Sequence, residues 1–297
     1  MVKINLVTGF LGSGKTTFIK EYAKYLISLG EKVSIIENDY GAINVDVLLL
    51  DDIGCDVEMI SGGCDYDCHK RRFKTKLIAQ AMSGHTRVIV EPSGIFDPDE
   101  FFDILFEEPL TNWYELGNVF CCYDINTKML SSDSEYILVA QASIAGKIIV
   151  TKRLNNEEMD FNYINSLMKK YNCERVISND DIIYSDKLNV KDIINSSFKP
   201  YSHIKEQVIN ENMYDSLYLL DKDITLDKVN EVKELLFKDN KYGNIIRIKG
   251  FIYENDKWMK INITKNECDI SNINIGQKVL IVIGENINKE KIEKLFN

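Results

Sequence analysis

The chain has 297 residues, with 46 Asp or Glu against 36 Lys or Arg and a formal net charge of −10. That length accommodates two domains, and the acidic excess excludes general nucleic-acid binding, which needs a basic surface to neutralise phosphates. Apolar runs such as Ile148-Ile149-Val150 are far shorter than the roughly 18 residues of a membrane helix, and no signal-like segment precedes the first apolar run, so a cytoplasmic protein with mainly reduced thiols is expected.

In chain order, the apolar run Val2 to Val7 predicts a strand and Thr17 to Leu29 an amphipathic helix. Val33 to Ile36, Arg87 to Val90, Val119 to Tyr123, Lys147 to Val150 and Arg175 to Ile177 read as further buried strands, with helix-length stretches between them. Such alternation predicts an α/β fold, a parallel sheet with helices on both faces and its ligand chemistry at the carboxyl ends of the strands. After Lys199-Pro200 the pattern changes. Ser216 to Leu220, Leu226 to Phe237, Ile245 to Tyr253, Trp258 to Ile263, Val279 to Ile283 and Lys289 to Phe296 read as β-α-β-β-β-α, a small α+β domain of split βαβ type. The expected domains are residues 1–200 and 201–297.

Between the first strand and first helix stands Gly9-Phe10-Leu11-Gly12-Ser13-Gly14-Lys15-Thr16-Thr17, which fits G-x-x-x-x-G-K-[ST]. Its glycines let the backbone close around phosphates, and the helix start adds N–H groups and a favourable dipole. A nucleoside triphosphate is the expected ligand, with Lys15 reaching the β- and γ-phosphates and the Thr16 hydroxyl holding Mg²⁺.

Glu91-Pro92-Ser93-Gly94 follows the strand Val88 to Val90. Glu91 there is a candidate for the Mg²⁺ shell or a helix-start acid, and Gly94 a candidate sensor of the γ-phosphate. Asp39, in Glu37-Asn38-Asp39-Tyr40-Gly41 after the second strand, could orient water, touch the metal or belong to a turn. Cys64 and Cys68 in Ser61-Gly62-Gly63-Cys64-Asp65-Tyr66-Asp67-Cys68-His69 are four apart and can face one side of a helical turn. Thiolates suit zinc, copper(I) or cobalt, but two are too few for a closed structural zinc site, so a metal there would be shared with His69, Glu37, Asp39, another chain or water; structural thiols or a redox pair are the other readings. Cys121 and Cys122 lie within an apolar strand and suit core packing, Cys55, Cys173 and Cys268 lack partners at metal spacing, and His85 and His203 stand alone.

These blocks resemble the CobW-type members of the CobW/HypB/UreG group of P-loop GTPases. The phosphate loop is similar to T-G-F-L-G-[AS]-G-K-T-T, Glu37 to Gly41 to the N-E-F-G block, Glu91-Pro92-Ser93-Gly94 to E-T-S-G, and Ala145 to Lys152, with Gln141 ahead of it, to the Q…A-D-x-[IV]-[IV]-[LV]-N-K block. Ser61-Gly62-Gly63-Cys64 stands where the family has N-G-C-x-C-C. Arg247-Ile248-Lys249-Gly250 and Val282-Ile283-Gly284 resemble marks of the family's C-terminal domain. The resemblance implies a GTPase whose hydrolysis gates delivery of a metal, zinc or cobalt at the cysteine site, or of a cobalamin-related cofactor. It implies a client metalloprotein or corrinoid enzyme, and leaves a homodimer open. A second reading is an ATP- or GTP-driven accessory protein for such an enzyme, its cysteines structural or redox. Thr151 and Lys152 fall on the base-binding N-K-x-D motif, but Leu154 stands in place of the acid that would read guanine, which leaves ATP open beside GTP.

Overall fold

The computed structural model describes residues 1–39, 54–61, 66–126, 131–203, 215–265, 267–274, 276 and 278–296. They fall into two compact units, Met1–Gln207 and Val208–Asn297.

The first unit contains β1 Val2–Gly9, α1 Lys15–Ser28, β2 Val33–Asp39, β3 Asp56–Ser61, α2 Tyr66–Met82, β4 Arg87–Pro92, α3 Pro98–Leu105, α4 Leu110–Trp113, β5 Tyr114–Asp124, α5 Ser132–Ile144, β6 Lys147–Thr151, α6 Phe161–Lys170, β7 Ile182–Tyr184 and α7 Val190–Ile193. Its seven strands are all parallel, in the order β3-β2-β4-β1-β5-β6-β7. Alternate residues of β1 serve two cores, because successive side chains point to opposite faces. Ile4 and Leu6 meet Phe73 and Leu77 of α2 and Phe101 and Ile104 of α3, whereas Val7 meets Phe18, Ile19 and Tyr22 of α1 on the other face. The expected P-loop sheet with helices on both faces is therefore present. The chain leaves β1 through α1 for β2 on one side and later returns to place β5 on the other, so the strand order reverses at the carboxyl end of β1, the place where α/β sheets bind ligands.

One predicted strand is corrected. Arg175 to Ile177 joins no ladder, because the Asn165 side chain occupies both backbone groups of Ile177, donating to its carbonyl at 3.0 Å and accepting from its N–H at 2.8 Å. The edge strand on that side is Ile182–Tyr184 instead.

The second unit contains β8 Asp215–Leu220, α8 Leu226–Lys238, β9 Asn244–Glu254, β10 Lys257–Thr264, β11 Cys268–Ile273, β12 Val279–Glu285 and α9 Lys289–Leu295. Its sheet has the order β11-β10-β9-β12-β8 with antiparallel neighbours throughout. Since β12 runs between β8 and β9, these two strands and α8 form the expected split βαβ. Val229, Val232 and Leu236 of α8 and Ile292 of α9 pack on Ile248, Ile261, Leu280 and Val282. The additional strand β11 was not expected; it lies at the edge, with Cys268, Ser271 and Asn272 exposed, and so carries no apolar run. Among the described residues no helix is long and apolar enough to cross a membrane.

Candidate nucleotide and metal site

The phosphate loop has the backbone its glycines imply. Gly9, Gly12 and Gly14 adopt φ of +142°, +74° and +85°, and a Cβ on Gly9 would lie 2.4 Å from the Cys122 carbonyl oxygen. Helix α1 then begins without a side-chain cap and without an acid in its first turn, so its first N–H groups and dipole are left for an anion. The Lys15 ammonium, almost wholly buried, curls back to donate to the carbonyls of Gly9 at 3.0 Å and Phe10 at 3.4 Å. Among the described residues the buried Ser13 hydroxyl has no hydrogen-bond partner. This geometry fits a polyphosphate: a glycine loop leads into an uncapped helix start, with a buried ammonium beside it.

Thr16 donates from Oγ1 to Oε1 of Glu91 at 3.0 Å. Glu37 on β2 is in register with Glu91 on β4, and both are buried. Parallel neighbours in register point to the same side of a sheet, so a hydroxyl and two carboxylates gather at adjacent strand ends. Such hard oxygen donors suit Mg²⁺. The Asp39 backbone ends β2 in register with Ser61, while its side chain lies outside the described residues.

Gly94 is pressed against the phosphate loop; a Cβ there would come within 2.6 Å of the Leu11 nitrogen. Its carbonyl accepts from Nε2 of the fully buried Gln141, at 3.3 Å, and the same amide reaches the Phe96 carbonyl at 3.2 Å. The Gly94 segment is thereby tied to α5.

Thr151 and Lys152 take different places. The Thr151 hydroxyl donates to the Ser13 carbonyl at 2.9 Å and the Tyr123 carbonyl at 3.3 Å, so it buttresses the phosphate loop from β6. Lys152 is left-handed at φ +56°, with Nζ 3.3 Å from the Asp124 carboxylate and its carbonyl accepting from Asn126 Nδ2. Arg153 turns away, donating to Asp186 at 2.6 Å and lying 4.1 Å over the Tyr184 ring. Leu154 is 64% exposed. Asp124, Asn126 and Asp186 escaped the sequence reading, since single polar residues at strand ends carry no pattern of their own.

Cys64 lies outside the described residues, as do the side chains of Cys68 and His69 at the start of α2. Among the described residues no three His, Cys, Asp or Glu side chains converge as metal ligands. Cys121 and Cys122 are buried in the core as expected; burial pushes the Cys121 thiol up to about 12 and raises Cys122 as well, which leaves both inert as nucleophiles. The two histidines that stood alone in sequence have neighbours. His85 joins Ser83 at 2.8 Å to Asp56 at 2.9 Å, fastening the end of α2 to β3, and His203 lies 3.5 Å from the Ser143 hydroxyl.

Among known proteins the chain is similar to the zinc chaperone YeiR of Escherichia coli, 32% identical over 42% of this chain and 38% of that protein, and to the zinc chaperone YjiA of the same organism, 26% identical over 51% of this chain and 49% of that one. The matches thus span less than half the length of either curated relative. Zn(II)-bound YjiA GTPase from E. coli is a structural neighbour, with a TM-score of 0.37 and 19% identity, covering 99% of this chain and 98% of that one. Residues 3–178 match the nucleotide-binding domain of CobW/HypB/UreG, more than half of the chain. With its phosphate loop, its parallel sheet and that match, the chain belongs to the CobW/HypB/UreG family of P-loop GTPases.

Proposed function

We propose that this protein is a Mg²⁺-dependent GTPase metallochaperone whose nucleotide state controls a thiol metal site at Cys64 and Cys68. One observation carries the reading: the Thr16–Glu91 contact stands at the end of β4, Glu37 is in register beside it on β2, and β2 is laddered to β3, whose last residue is three positions before Cys64. A change in how Thr16 and Glu91 are engaged has a hydrogen-bonded route through two strands to Ser61, three positions before Cys64 in sequence. Zinc as cargo is supported by the likeness to two zinc chaperones, and cobalt is the competing thiophilic ion. The recipient is a client metalloprotein.

The residues divide the work. Gly9, Gly12, Ser13, Gly14 and Thr17 shape the cradle; Lys15, released from the Gly9 and Phe10 carbonyls, neutralises phosphate charge; Thr16, Glu91 and Glu37 supply oxygen donors for Mg²⁺, and Asp39 or Glu91 orients the attacking water. Mg²⁺, when bound, supplies charge neutralisation on the phosphates. Gly94, tied to α5 by Gln141, reports on the γ-phosphate. Thr151 braces the loop and Lys152 borders the base. The four-residue spacing of Cys64 and Cys68 favours a second reading, an accessory protein for a metalloenzyme whose cysteines are structural or redox.

An anaerobic titration with Zn²⁺ and Co²⁺ in GDP and in a non-hydrolysable GTP analogue, beside Cys64→Ser/Cys68→Ser, separates the two. Thiolate-to-cobalt absorption that needs both cysteines and changes affinity with nucleotide is expected. Equal, weak metal binding in all states sinks the carrier reading and favours the accessory one. Lys15→Ala should lower hydrolysis about 10²-fold or more. Unchanged hydrolysis in that variant removes the GTPase assignment of the loop.

A further inference from the structure

The loop after β6 is held in a conformation that its residues do not favour. Lys152, Asn155 and Asn156 are left-handed at φ +56°, +49° and +60°. Asparagine visits that region readily, whereas the Cβ of a lysine is crowded against the following carbonyl there, so Lys152 stays left-handed only where surrounding contacts over-determine it. Arg153 supplies those contacts from the next position. Its side chain is 4% exposed; the guanidinium donates to Asp186 at 2.6 Å and to Asn156 at 3.2 Å, and lies 4.1 Å over the Tyr184 ring. The Tyr184 hydroxyl in turn accepts from the Met159 N–H at 3.0 Å. Tyr184 ends β7, where it is in register with Val150 of β6, and the helical turn Ser185–Lys187 that follows carries Asp186. The loop is therefore fastened through Arg153, Asn156 and Met159 to the end of the neighbouring strand. The hydrogen bond from Arg153 holds the Asp186 carboxyl below its usual range, so the pair stays ionised at neutral pH.

We propose that Asp186 and Tyr184 are positioning residues for the nucleotide: acting through Arg153, they hold Lys152 at the border of the base. The loop stands beside the phosphate cradle, since the Thr151 hydroxyl donates to the Ser13 carbonyl at 2.9 Å. Asp124, in register with Thr151, lies 3.3 Å from the Lys152 ammonium and fixes the other side of the same residue. A nucleoside whose phosphates occupy the cradle leaves it next to these groups. Leu154 offers the base no charge-assisted contact, so binding of the nucleoside depends the more on a loop already set in its bound conformation, which lowers the ordering cost of association. Because Asp186 and Tyr184 work through Arg153 rather than on the edge of the base, they support guanine and adenine nucleotides alike. That Lys152 borders the base rests on the function proposed above; the contacts among Arg153, Asp186 and Tyr184 do not.

The test uses the full chain with Mg²⁺ and competition against a fluorescent GTP analogue, giving dissociation constants for GTP, GDP, ATP and inorganic tripolyphosphate, which has phosphates and no base. Asp186→Ala should weaken all three nucleotides about tenfold and leave tripolyphosphate unchanged, which also shows that the cradle is intact. In hydrolysis its KM for GTP should rise about tenfold while kcat stays within about twofold. Arg153→Ala should reproduce these effects, and Arg153→Ala/Asp186→Ala should be no worse than either single variant, because the two residues act as one unit. Nucleotide binding by Asp186→Ala equal to that of the parent, a loss shared equally by tripolyphosphate, or additive losses in the double variant overturns the proposal. Lys152→Ala keeps it apart from the reading on which it rests. If Lys152→Ala weakens the nucleotides and Asp186→Ala does not, the positioning role falls and Lys152 keeps its place; if neither variant weakens them, the base lies elsewhere and both fall.

Discussion

At the scale of single residues, Thr151-Lys152-Arg153-Leu154 departs from the N-K-x-D motif that it resembles. Arg153 is held by Asp186 and lies over Tyr184, and Lys152 is drawn toward Asp124, so the loop is ordered by its own contacts. Leu154 points an exposed hydrocarbon where the family motif carries a carboxylate, and a hydrocarbon accepts no hydrogen bond from guanine N1 and N2. Restoring the acid with Leu154→Asp should therefore raise the preference for GTP over ATP about tenfold or more, read from competition against a fluorescent GTP analogue. A ratio that does not move would mean that another group in this protein already reads the base. Thr151 shows a different economy: one hydroxyl ties β6 to both the phosphate loop and β5, a role its position in the base motif did not announce.

At the scale of elements, helix ends decide much of what surrounds the site. The buried Arg175 donates to the carbonyls of Ala142 and Ala145 at 2.6 Å each and of Ser143 at 3.2 Å, closing the C-terminus of α5, and pairs with Asp181 at 2.8 Å. Burial pushes the Asp181 carboxyl up, but the bonds from Arg175 and Ser178 win and hold it below the ordinary range. The opposite balance holds on α3. Burial first, then Asp97 and Asp103, push the Glu100 carboxyl from 4.5 up to about 7 against the pull of Lys70. A carboxyl raised on folding contributes stability while protonated, fully below about 4.5, and that contribution is lost as pH rises through 7. Glu100→Gln, which cannot ionise, should match the parent protein near pH 4.5 and exceed it at pH 8 by on the order of 1 kcal/mol after solvent screening, in denaturant unfolding at the two pH values. A difference independent of pH would assign Glu100 no burial penalty. Elements with a short unbroken apolar run were legible in the sequence, Val88–Val90 of β4, Val119–Cys122 of β5, Ile148–Val150 of β6 and Val279–Ile283 of β12 among them, because residues buried on both faces of a sheet are apolar in succession; β1 was legible despite Lys3 and Asn5. Among the edge strands β8 was legible as Ser216 to Leu220, but three were not: β3 buries Ile60 within an acidic, half-exposed segment, β7 has three residues, and β11 has no apolar run; Arg175 to Ile177 looked like a strand although a side-chain amide satisfies its backbone. In the site, the spacing of the phosphate loop and the position of Glu91 behind the apolar run Val88 to Val90, at the end of β4, were readable. The Thr151 brace was not, since a contact between residues 138 positions apart leaves no local pattern.

At the scale of the whole molecule, the two compact units have separate cores, those of the first on the two faces of the parallel sheet and that of the second on the antiparallel sheet. The residues expected to meet the nucleotide all belong to the first. A ligand stabilises only the cooperative unit that binds it, by about 2.7 kcal/mol at a hundredfold excess over its dissociation constant. Val232, 1% exposed in α8, belongs to the second core, and Val232→Ala should remove about 2 kcal/mol there through lost contacts and a small cavity. Scanning calorimetry should then show two transitions, GTP with Mg²⁺ raising one and Val232→Ala lowering the other, with nucleotide affinity at 25 °C unchanged in the variant. One transition moved by both perturbations would instead show that the two units unfold as a single cooperative unit, in which case bound nucleotide would stabilise the antiparallel sheet as well as the parallel one.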